Sequence, residues 1–431
     1  MIMNTPISDF LEKYTTSGAL RLHMPGHNGA IPHDITEIDG ADSLYETDHT
    51  KSIIGFSEKN AAELFGSDRT CYSCGGSTLS IQAALAILKA QGCRTIAASR
   101  YSHKSLLQAA ILLHMNIKWL YPEEYLSADV DYSGDALNGA DAVFMTNIDY
   151  LGGSCRLPQT DLPVVCDNAH GAYLKFIDKD MFGGRYLHPS EFGFPVISAE
   201  SAHKTLPVMT GGAYLHFYGG ADHSRAKEMM SLFGSSSPSY LMLESLDKFN
   251  KFITERPDAV GYACEAVANL KEKLQGFEIP LKESDPLRVV VKAYEYGYNG
   301  FNYADKLRAN GVECEMSDRN HAVLLFSAAT THRDCQRALT AMSLIPKKKP
   351  IPKAEYPVLK PKAALPIADA VFMPQTTVPL AKAIGFVCGG INTPCPPCIP
   401  LVMPGEIISD EAAEALRLYN VKEVSVITKV R

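Results

Sequence analysis

Residues 194–206 read FPVISAESAHKTL. The apolar first part, up to residue 201, predicts a short buried strand, and polar residues follow where that strand ends. Lys204 lies in this polar end among small and apolar residues, and Glu200 is the one acid close to it in the sequence. Lysine is rarely buried without a partner. The stretch is therefore either an exposed turn or a pocket in which the amine of Lys204 reacts.

Three further apolar runs of the same kind precede this one. They are TIAAS (95–99), DAVFMTN (141–147) and LPVVCDN (162–168). Helical patterns alternate with them, such as STLSIQAALAILKAQG and HKSLLQAAILLHMN. This alternation predicts an α/β fold with a mostly parallel sheet and helices on both faces. Ligands of such sheets bind at the carboxyl ends of the strands, which is where the polar residues lie.

Strand and helix patterns continue after residue 255. PLRVVVKAY and HAVLLFSAA alternate with helical stretches in the order β, α, β, α of a small α/β domain. The Pro/Lys-rich residues 344–366 predict a linker, because proline disfavours helices and central strands. A capped helix is expected to begin near Ser409. The predicted parts are an N-terminal segment (1–60), a large domain (61–255) and a smaller C-terminal α/β domain that includes the linker (256–431).

Composition excludes several classes of protein. The 431 residues are 46% hydrophobic and 21% charged, which is typical of a soluble globular protein. A net charge of −7 and a pI near 6.0 argue against nucleic-acid binding, because phosphate contacts need a basic face. No apolar run reaches the roughly 20 residues of a membrane helix, and the N-terminus lacks a signal-peptide pattern. We expect a cytoplasmic protein without a nucleic-acid or membrane partner.

Eleven cysteines raise the question of disulfides or zinc. They are scattered through apolar segments with no secretory signal ahead of them, which favours reduced thiols. Two pairs have the C-x-x-C spacing of a zinc site, namely Cys71 with Cys74 and Cys395 with Cys398. The pairs are far apart in the chain, and nothing metal-like flanks them. Buried, unreactive thiols are therefore favoured, and no metal is expected.

Three other segments contain residues that could bind a cofactor or take part in catalysis. Gly76, Ser77 and Thr78 begin a helix, where free backbone N–H groups can bind a phosphate, although a plain helix cap has the same pattern. Asp167 ends the third predicted strand, and an aspartate there can also form a turn. His103 follows the first strand, where a histidine can simply cap a helix.

Together with Lys204, these residues are the parts that hold pyridoxal phosphate (PLP). Lys204 would bond to the cofactor aldehyde, and Asp167 would keep the pyridine nitrogen protonated. The helix N-terminus would take the phosphate. In this interpretation the amine of Lys204 needs no ionic partner, because it is bonded to the cofactor.

The chain resembles a known family over nearly its whole length, the fold-type-I, PLP-dependent Orn/Lys/Arg decarboxylases. The stretches RLHMPGHNGA, GGSTLSIQAA, SRYSHKS, DNAHGAY, SAHKT and CPPCIPLVMPGE carry the resemblance. It implies decarboxylation of a basic amino acid, with arginine favoured over lysine and ornithine, and a place in polyamine metabolism. It also implies a short form of the family without the N-terminal wing domain.

The resemblance implies a role for each matching residue. Lys204 holds the cofactor, Asp167 pairs with its ring nitrogen, and His103 stacks on the ring. His170 lies near the phenolic edge of the ring, and Lys204 or His203 returns a proton to the α-carbon. The residues expected at the phosphate are Gly76, Ser77, Thr78, Ser201 and His203.

Substrate preference depends on other positions. A basic side chain needs carboxylates or carbonyls at the far end of the pocket. The candidates are Asp42, Glu46 and Glu406. The chain departs from the family at Asn28, Asn168 and Cys398, where lysine, glutamate and glycine respectively are usual. These changes leave the cofactor residues intact, so the resemblance implies the cofactor but does not fix which substrate is preferred.

Two other functions remain open at this point. An aminotransferase or a carbon-sulfur lyase of the same fold would share the lysine, the aspartate and the phosphate loop, but not MPGHNGA and PLVMPGE. A non-enzymatic PLP-binding regulator is disfavoured, because the complete reactive set is present.

The serine-rich stretch SLFGSSSPSY (231–240) breaks the helical pattern between two apolar helices. In the resembling family this segment reaches the partner's cofactor phosphate, which implies a homodimer with shared active sites and makes Ser236 the candidate. The N-terminal segment has too little apolar periodicity to fold alone, so it too is expected to pack on a second subunit. A solvated serine loop in a monomer is the alternative.

Overall fold

The computed structural model of this chain describes residues 3–35, 43–45, 52–391 and 401–428. Helices and strands alternate through most of these residues. The helices are α1 (Pro6–Thr16), α2 (Ile53–Phe65), α3 (Gly76–Ala90), α4 (Lys104–Leu112), α5 (Ala202–Thr205), α6 (Ala226–Ser231), α7 (Tyr240–Glu255), α8 (Ala259–Gly276), α9 (Gly300–Ala309), α10 (His332–Ser343), α11 (Ile367–Ala370) and α12 (Asp410–Leu418). The strands are β1 (Arg69–Ser73), β2 (Thr95–Ser99), β3 (Asn116–Leu120), β4 (Ala142–Thr146), β5 (Val164–Asp167), β6 (Val196–Glu200), β7 (Ala213–Tyr218), β8 (Leu281–Lys282), β9 (Arg288–Lys292), β10 (Met316–Ser317), β11 (His321–Leu325), β12 (Gln375–Pro379) and β13 (Glu423–Ile427).

The chain divides into two compact units, and each unit is made of three separate segments. The first unit contains Met1–Gln91, Pro163–Ala266 and Phe326–Thr331. The second unit contains Gly92–Leu162, Val267–Leu325 and His332–Arg431. The predicted domains, by contrast, are consecutive along the chain, and their boundaries at residues 60 and 255 stay predictions.

In the first unit, four strands lie side by side in the order β1, β7, β6, β5. β5 and β6 are parallel, with Asp167 opposite Ala199, whereas β7 is antiparallel to both β6 and β1. The apolar residues of α3 are buried, and this helix packs on β6 and β7. Because β5 and β6 run in the same direction, their carboxyl ends meet at one edge of the sheet. Asp167 and the segment that carries Lys204 therefore lie side by side.

The second unit has three separate strand groups. β4, β2 and β3 lie in that order and are parallel. β10, β11, β9 and β8 form an antiparallel sheet, and β12 pairs with β13. The C-terminal part of this unit has its own apolar core, which α12 and β13 share.

The predicted strands and helices of the central region are confirmed. Residues 95–99 are β2, and the other three predicted runs contain β4, β5 and β6. The helix predicted near Ser409 is α12, and Ser409 Oγ caps it by accepting a hydrogen bond from Ala412 N at 3.1 Å. Residues 346–362 form neither helix nor strand, in agreement with their proline content. The sequence patterns do not predict β7, β12 or β13.

Nine described cysteines are free thiols, and most of them are buried. Cys71 is fully buried, and burial raises the pKa of Cys74 to about 12. Cys395 and Cys398 lie outside the described residues. Within the described ranges, no cluster of three or more His, Cys, Asp or Glu side chains has the arrangement of a metal site. None of the described helices combines the length and the apolar character needed to cross a membrane.

Candidate active site

Lys204 lies in the short helix α5, which begins directly after β6. Its Nζ atom lies 3.1 Å from Nε2 of His170, a residue of the turn that follows β5. His170 is buried, whereas Lys204 is half-buried. The two side chains thus meet at the carboxyl ends of two neighbouring parallel strands, the place predicted for a ligand.

Asp167 is the last residue of β5 and is 5% exposed. Its Oδ1 atom accepts a hydrogen bond from Ala169 N at 3.1 Å. Burial raises the pKa of this carboxyl, and the charge of Lys204 opposes that rise. A buried carboxylate with a raised pKa favours a cationic or N–H partner. The site is therefore suited to a protonated ring nitrogen.

The N-terminus of α3 lies at the same end of the sheet. Ser201 Oγ, in the turn after β6, donates a hydrogen bond to Ser77 Oγ at 2.8 Å. Gly76 has a φ of +66°, a conformation that favours glycine, and its N–H bonds to Gly211 O at 2.9 Å. The N-cap residue Gly75 has no side chain with which to cap the helix. Hydroxyl groups and a helix N-terminus are an appropriate donor set for a phosphate.

His203 faces the following loop. Its Nδ1 atom lies 3.0 Å from Gly212 O, and its backbone N–H bonds to the same carbonyl at 3.2 Å. A carbonyl oxygen accepts but does not donate, so Nδ1 carries the proton of a neutral ring. This contact fixes the orientation of the imidazole.

Glu200, the acid nearest to Lys204 in the sequence, has other partners. It is fully buried, and His188 Nε2 lies 3.1 Å from its Oε1 atom. Ser198 Oγ and Asn168 Nδ2 donate to the same oxygen at 2.9 and 3.1 Å. Burial would raise the pKa of Glu200, but the neighbouring histidines and hydrogen bonds lower it to about 2. The sequence did not reveal these partners, because 32 residues separate Asn168 from Glu200 and 12 separate His188 from it.

His103 lies in the second unit and caps α4. Its Nδ1 atom accepts a hydrogen bond from Ser105 N at 3.2 Å and lies 2.8 Å from Ser105 Oγ. The ring is half-buried. The helix-capping interpretation therefore describes its contacts within this unit, and ring stacking on a cofactor stays a prediction.

Glu406 also lies in the second unit, and its contacts do not support the predicted role in substrate binding. Its two carboxylate oxygens accept hydrogen bonds from Arg100 at 2.7 and 2.9 Å. Met403 N donates to Oε2 as well, at 2.8 Å, and the carboxylate is almost completely buried. A carboxylate with these partners is satisfied without a substrate. The sequence did not reveal this ion pair, because 306 residues separate its members.

The remaining predicted residues differ in their surroundings. Thr78 is half-buried in the first turn of α3, next to Ser77. Ser236 is exposed in the loop between α6 and α7. Asp42 and Glu46 lie outside the described residues, so their predicted roles in substrate binding stay predictions.

The sequence-family model described as "Orn/Lys/Arg decarboxylase, major domain" matches residues 154–273, which contain Asp167, His170 and Lys204. This region is thus similar to the major domain of the Orn/Lys/Arg decarboxylases, and relatives named arginine decarboxylase match the chain along most of its length.

Two curated relatives of this decarboxylase match nearly the whole chain. Protein YaaO of Bacillus subtilis is 26% identical over an alignment of 469 positions, which covers 97% of this chain and 95% of YaaO. The arginine decarboxylase of the same organism is 25% identical over an alignment of 460 positions, which covers 94% of this chain and 92% of the relative.

Solved structures show that the decarboxylase has the predicted fold. The lysine decarboxylase of Francisella novicida superimposes with a TM-score of 0.80 at 15% identity, covering 98% of this chain and 81% of that one. The fold-type-I class is thereby confirmed. The family match and the relatives confirm the predicted class of enzyme, a decarboxylase of basic amino acids, over the aminotransferase, lyase and regulator alternatives. Both the family and the fold are PLP-dependent.

Proposed function

We propose that this decarboxylase acts on arginine with PLP bonded to Lys204. The observation that carries the proposal is the contact of Lys204 Nζ with His170 Nε2, at 3.1 Å, beside the buried Asp167. Relatives named arginine decarboxylase cover nearly the whole chain, which supports arginine over lysine and ornithine. A cytoplasmic location and a role in polyamine synthesis belong to the same proposal.

The residues of the first unit fit PLP at both of its polar ends. Asp167 would hold the ring nitrogen, since a cation there relieves the cost of burying this carboxylate. Gly76, Ser77 and Ser201 would hold the phosphate, because the hydroxyls already meet at the N-terminus of α3. When bound, PLP supplies a ring that accepts the electron pair left by departing carbon dioxide.

Lys204 is the proton donor to the α-carbon that we favour over His203. Nδ1 of His203 is committed to Gly212 O, so the neutral ring has an acceptor, not a donor, at Nε2. A lysine ammonium, by contrast, has three donors and no acceptor. His170 lies within hydrogen-bond distance of this amine and orients it. Lys204 would thus hold the cofactor and later deliver the proton.

The first prediction is that Lys204→Ala abolishes both the visible absorbance of bound PLP and the release of carbon dioxide from arginine. The reason is that no other side chain in the proposed site can form the covalent bond. Absorbance spectra and carbon dioxide release with arginine, lysine and ornithine measure the two properties.

Lys175→Ala is the matched control for that experiment. Lys175 is a half-buried lysine of the same unit, bonded to Ser190 Oγ at 3.2 Å, and its loss should leave both properties intact. Turnover of Lys204→Ala near the wild-type rate would remove Lys204 from its role. Wild-type protein that forms keto acids without carbon dioxide would instead indicate an aminotransferase.

The proposal includes a homodimer in which Ser236 contacts the partner's cofactor phosphate. Ser236 is exposed in the isolated chain, so a second subunit can reach it. Leu20, Leu22 and Met24, at alternate positions of the N-terminal segment, are exposed, with 76%, 82% and 64% of their surface accessible. Exposed apolar side chains grouped in this way are typical of surfaces that another chain covers.

Subunit exchange tests this part of the proposal. Lys204→Ala and Ser236→Trp proteins, each inactive alone, should regain up to about half of the wild-type activity when mixed, because one shared site of each heterodimer escapes both changes. Mass spectrometry of the intact dimers would report the exchange itself. Exchange without recovery, or a monomer with full activity, would exclude shared sites.

A further inference from the structure

A buried polar cluster of the first unit has no part in the proposed chemistry. We define the Glu200 cluster as Glu200, His188, His216, Ser198 and Asn168. All five side chains are buried. The carboxylate accepts hydrogen bonds from Ser198 and Asn168 and contacts His188, and His216 Nε2 lies 3.8 Å from it. Burying this much polarity is costly unless every contact is used. The cluster therefore needs an explanation beyond packing.

The carboxylate at its centre is charged at neutral pH. The pKa of Glu200 is lowered to about 2, as described above. Nδ1 of His188 accepts a hydrogen bond from Ser190 N at 3.2 Å, which places the proton of a neutral ring on Nε2, toward Glu200. Burial lowers the pKa of His216 to about 4, and the charge of Glu200 opposes that shift. The cluster thus presents a fixed negative charge with oriented donors around it.

The Glu200 cluster lies on the opposite face of the sheet from Asp167. Side chains alternate along a strand, so Ser198 and Glu200 share one face of β6, and Ala199 points to the other. Asp167 is the register partner of Ala199 and lies on that other face. The cluster is consequently separated from the proposed cofactor by the sheet itself.

Asn168 connects the cluster to the active-site turn. Its Nδ2 donates to Glu200, while its backbone carbonyl accepts from Gly171 N at 2.9 Å. Its Oδ1 lies so close to Gly171 that a Cβ atom there would be 2.1 Å away, and only glycine fits. The turn from Asn168 to Gly171 is closed by these contacts. His170, the partner of Lys204, belongs to it.

We propose that Glu200 and Asn168 are positioning residues that hold His170 against Lys204 from the far face of the sheet. Glu200 orients the Asn168 amide, the amide fixes the turn, and the turn sets the distance between the imidazole and the amine. Glu200 is also the last residue of β6, directly before the segment that carries Lys204. This inference rests on the proposed role of Lys204.

The test measures Lys204 in the protein without cofactor. A lysine ammonium only donates, so Nε2 of His170 accepts its proton, and a fixed acceptor favours the protonated amine. Releasing the turn should free the amine to react. In Asn168→Asp, reductive methylation of Lys204, followed by peptide mass spectrometry, should be about fivefold faster, the factor that one ordinary hydrogen bond is worth. Thermal unfolding is measured in parallel.

Two further variants separate positioning from mere structural support. Ser198→Ala removes another hydrogen bond to the same carboxylate, on the same face, without touching the turn. It should lower thermal stability but leave the methylation rate of Lys204 unchanged. The double variant Asn168→Asp with Glu200→Gln exchanges the donor and the acceptor of the hydrogen bond between positions 168 and 200. It should restore the bond across the strands and return the methylation rate toward the wild-type value.

Several outcomes would overturn the inference. They are an unchanged methylation rate in Asn168→Asp, an equal change in Ser198→Ala, and a double variant that behaves like Asn168→Asp. If Asn168→Asp does not fold, Asn168→Ser supplies the same measurement. Failure of the proposed function is distinguishable, because it would appear as wild-type protein that neither binds PLP nor decarboxylates, whatever the methylation rates.

Discussion

Lys204 in the first unit and Glu406 in the second are both charged residues in apolar stretches of sequence. Both were predicted to be functional, Lys204 because no ionic partner is evident near it in the sequence and Glu406 because a basic substrate needs a carboxylate in the pocket. Lys204 is half-buried and contacts a histidine, whose ring can give or accept a proton. Glu406 is buried against Arg100, whose guanidinium occupies both carboxylate oxygens.

The difference shows that burial of a charge does not by itself mark an active site. A permanently charged partner with matched geometry satisfies a carboxylate and leaves nothing for a substrate. A titratable partner leaves the proton movable. We therefore expect changes around Lys204 to affect activity more than stability, and changes around Glu406 to affect stability more than activity.

The largest expected effect in this comparison is that of Asp167→Asn. Removing the charge that we propose pairs with the ring nitrogen should lower kcat on the order of 10²–10³-fold, as the loss of one preorganised electrostatic group does. PLP should stay bound, since the phosphate residues are separate. Steady-state rates and absorbance spectra measure the two effects.

The Asp167→Asn variant is also expected to differ from the wild type in its free energy of unfolding. Burial raises the pKa of Asp167 in the folded protein, so ionisation of this carboxyl opposes folding as the pH rises above the ordinary value of 3.8. At neutral pH the cofactor-free Asp167→Asn protein should be at least as stable as the wild type in urea unfolding. A clear loss of stability with normal kcat would reverse the roles assigned to the two regions.

Arg100→Met is expected to change activity less than Asp167→Asn does. This change leaves the Glu406 carboxylate buried without its partner, which should cost about 3–5 kcal/mol in the free energy of unfolding. The kcat of the molecules that remain folded should change far less than in Asp167→Asn. Urea unfolding and rates at low temperature provide both measurements.

A double variant serves as the control for the ion pair. Arg100→Met with Glu406→Leu replaces both charges by apolar groups, so most of the lost stability should return. If Arg100→Met kept its stability and instead raised KM for arginine, that result would support the predicted role of Glu406 in substrate binding.

The sequence by itself determined the strands and helices of the central region and the identities of the reactive residues. β2, β5 and β6 are short apolar runs ended by polar residues, a pattern that local physics imposes on buried parallel strands. Because parallel strands end at the same edge, the polar ends could be expected to meet. Asp167 and Lys204 follow from this rule without any coordinates.

The tertiary structure decided which side chains these charged residues contact. His170 and Lys204 are 34 residues apart, and Arg100 and Glu406 are 306 apart, so no periodicity along the chain connects either pair. β12 and β13 also pair over a long separation and show no strand pattern strong enough to predict. The sequence around a charged residue does not show whether its partner in the fold is a titratable histidine or an arginine that stays charged. The packing of segments that are distant in the sequence determines which partner is present, because electrostatic energy depends on the distance between charges in space.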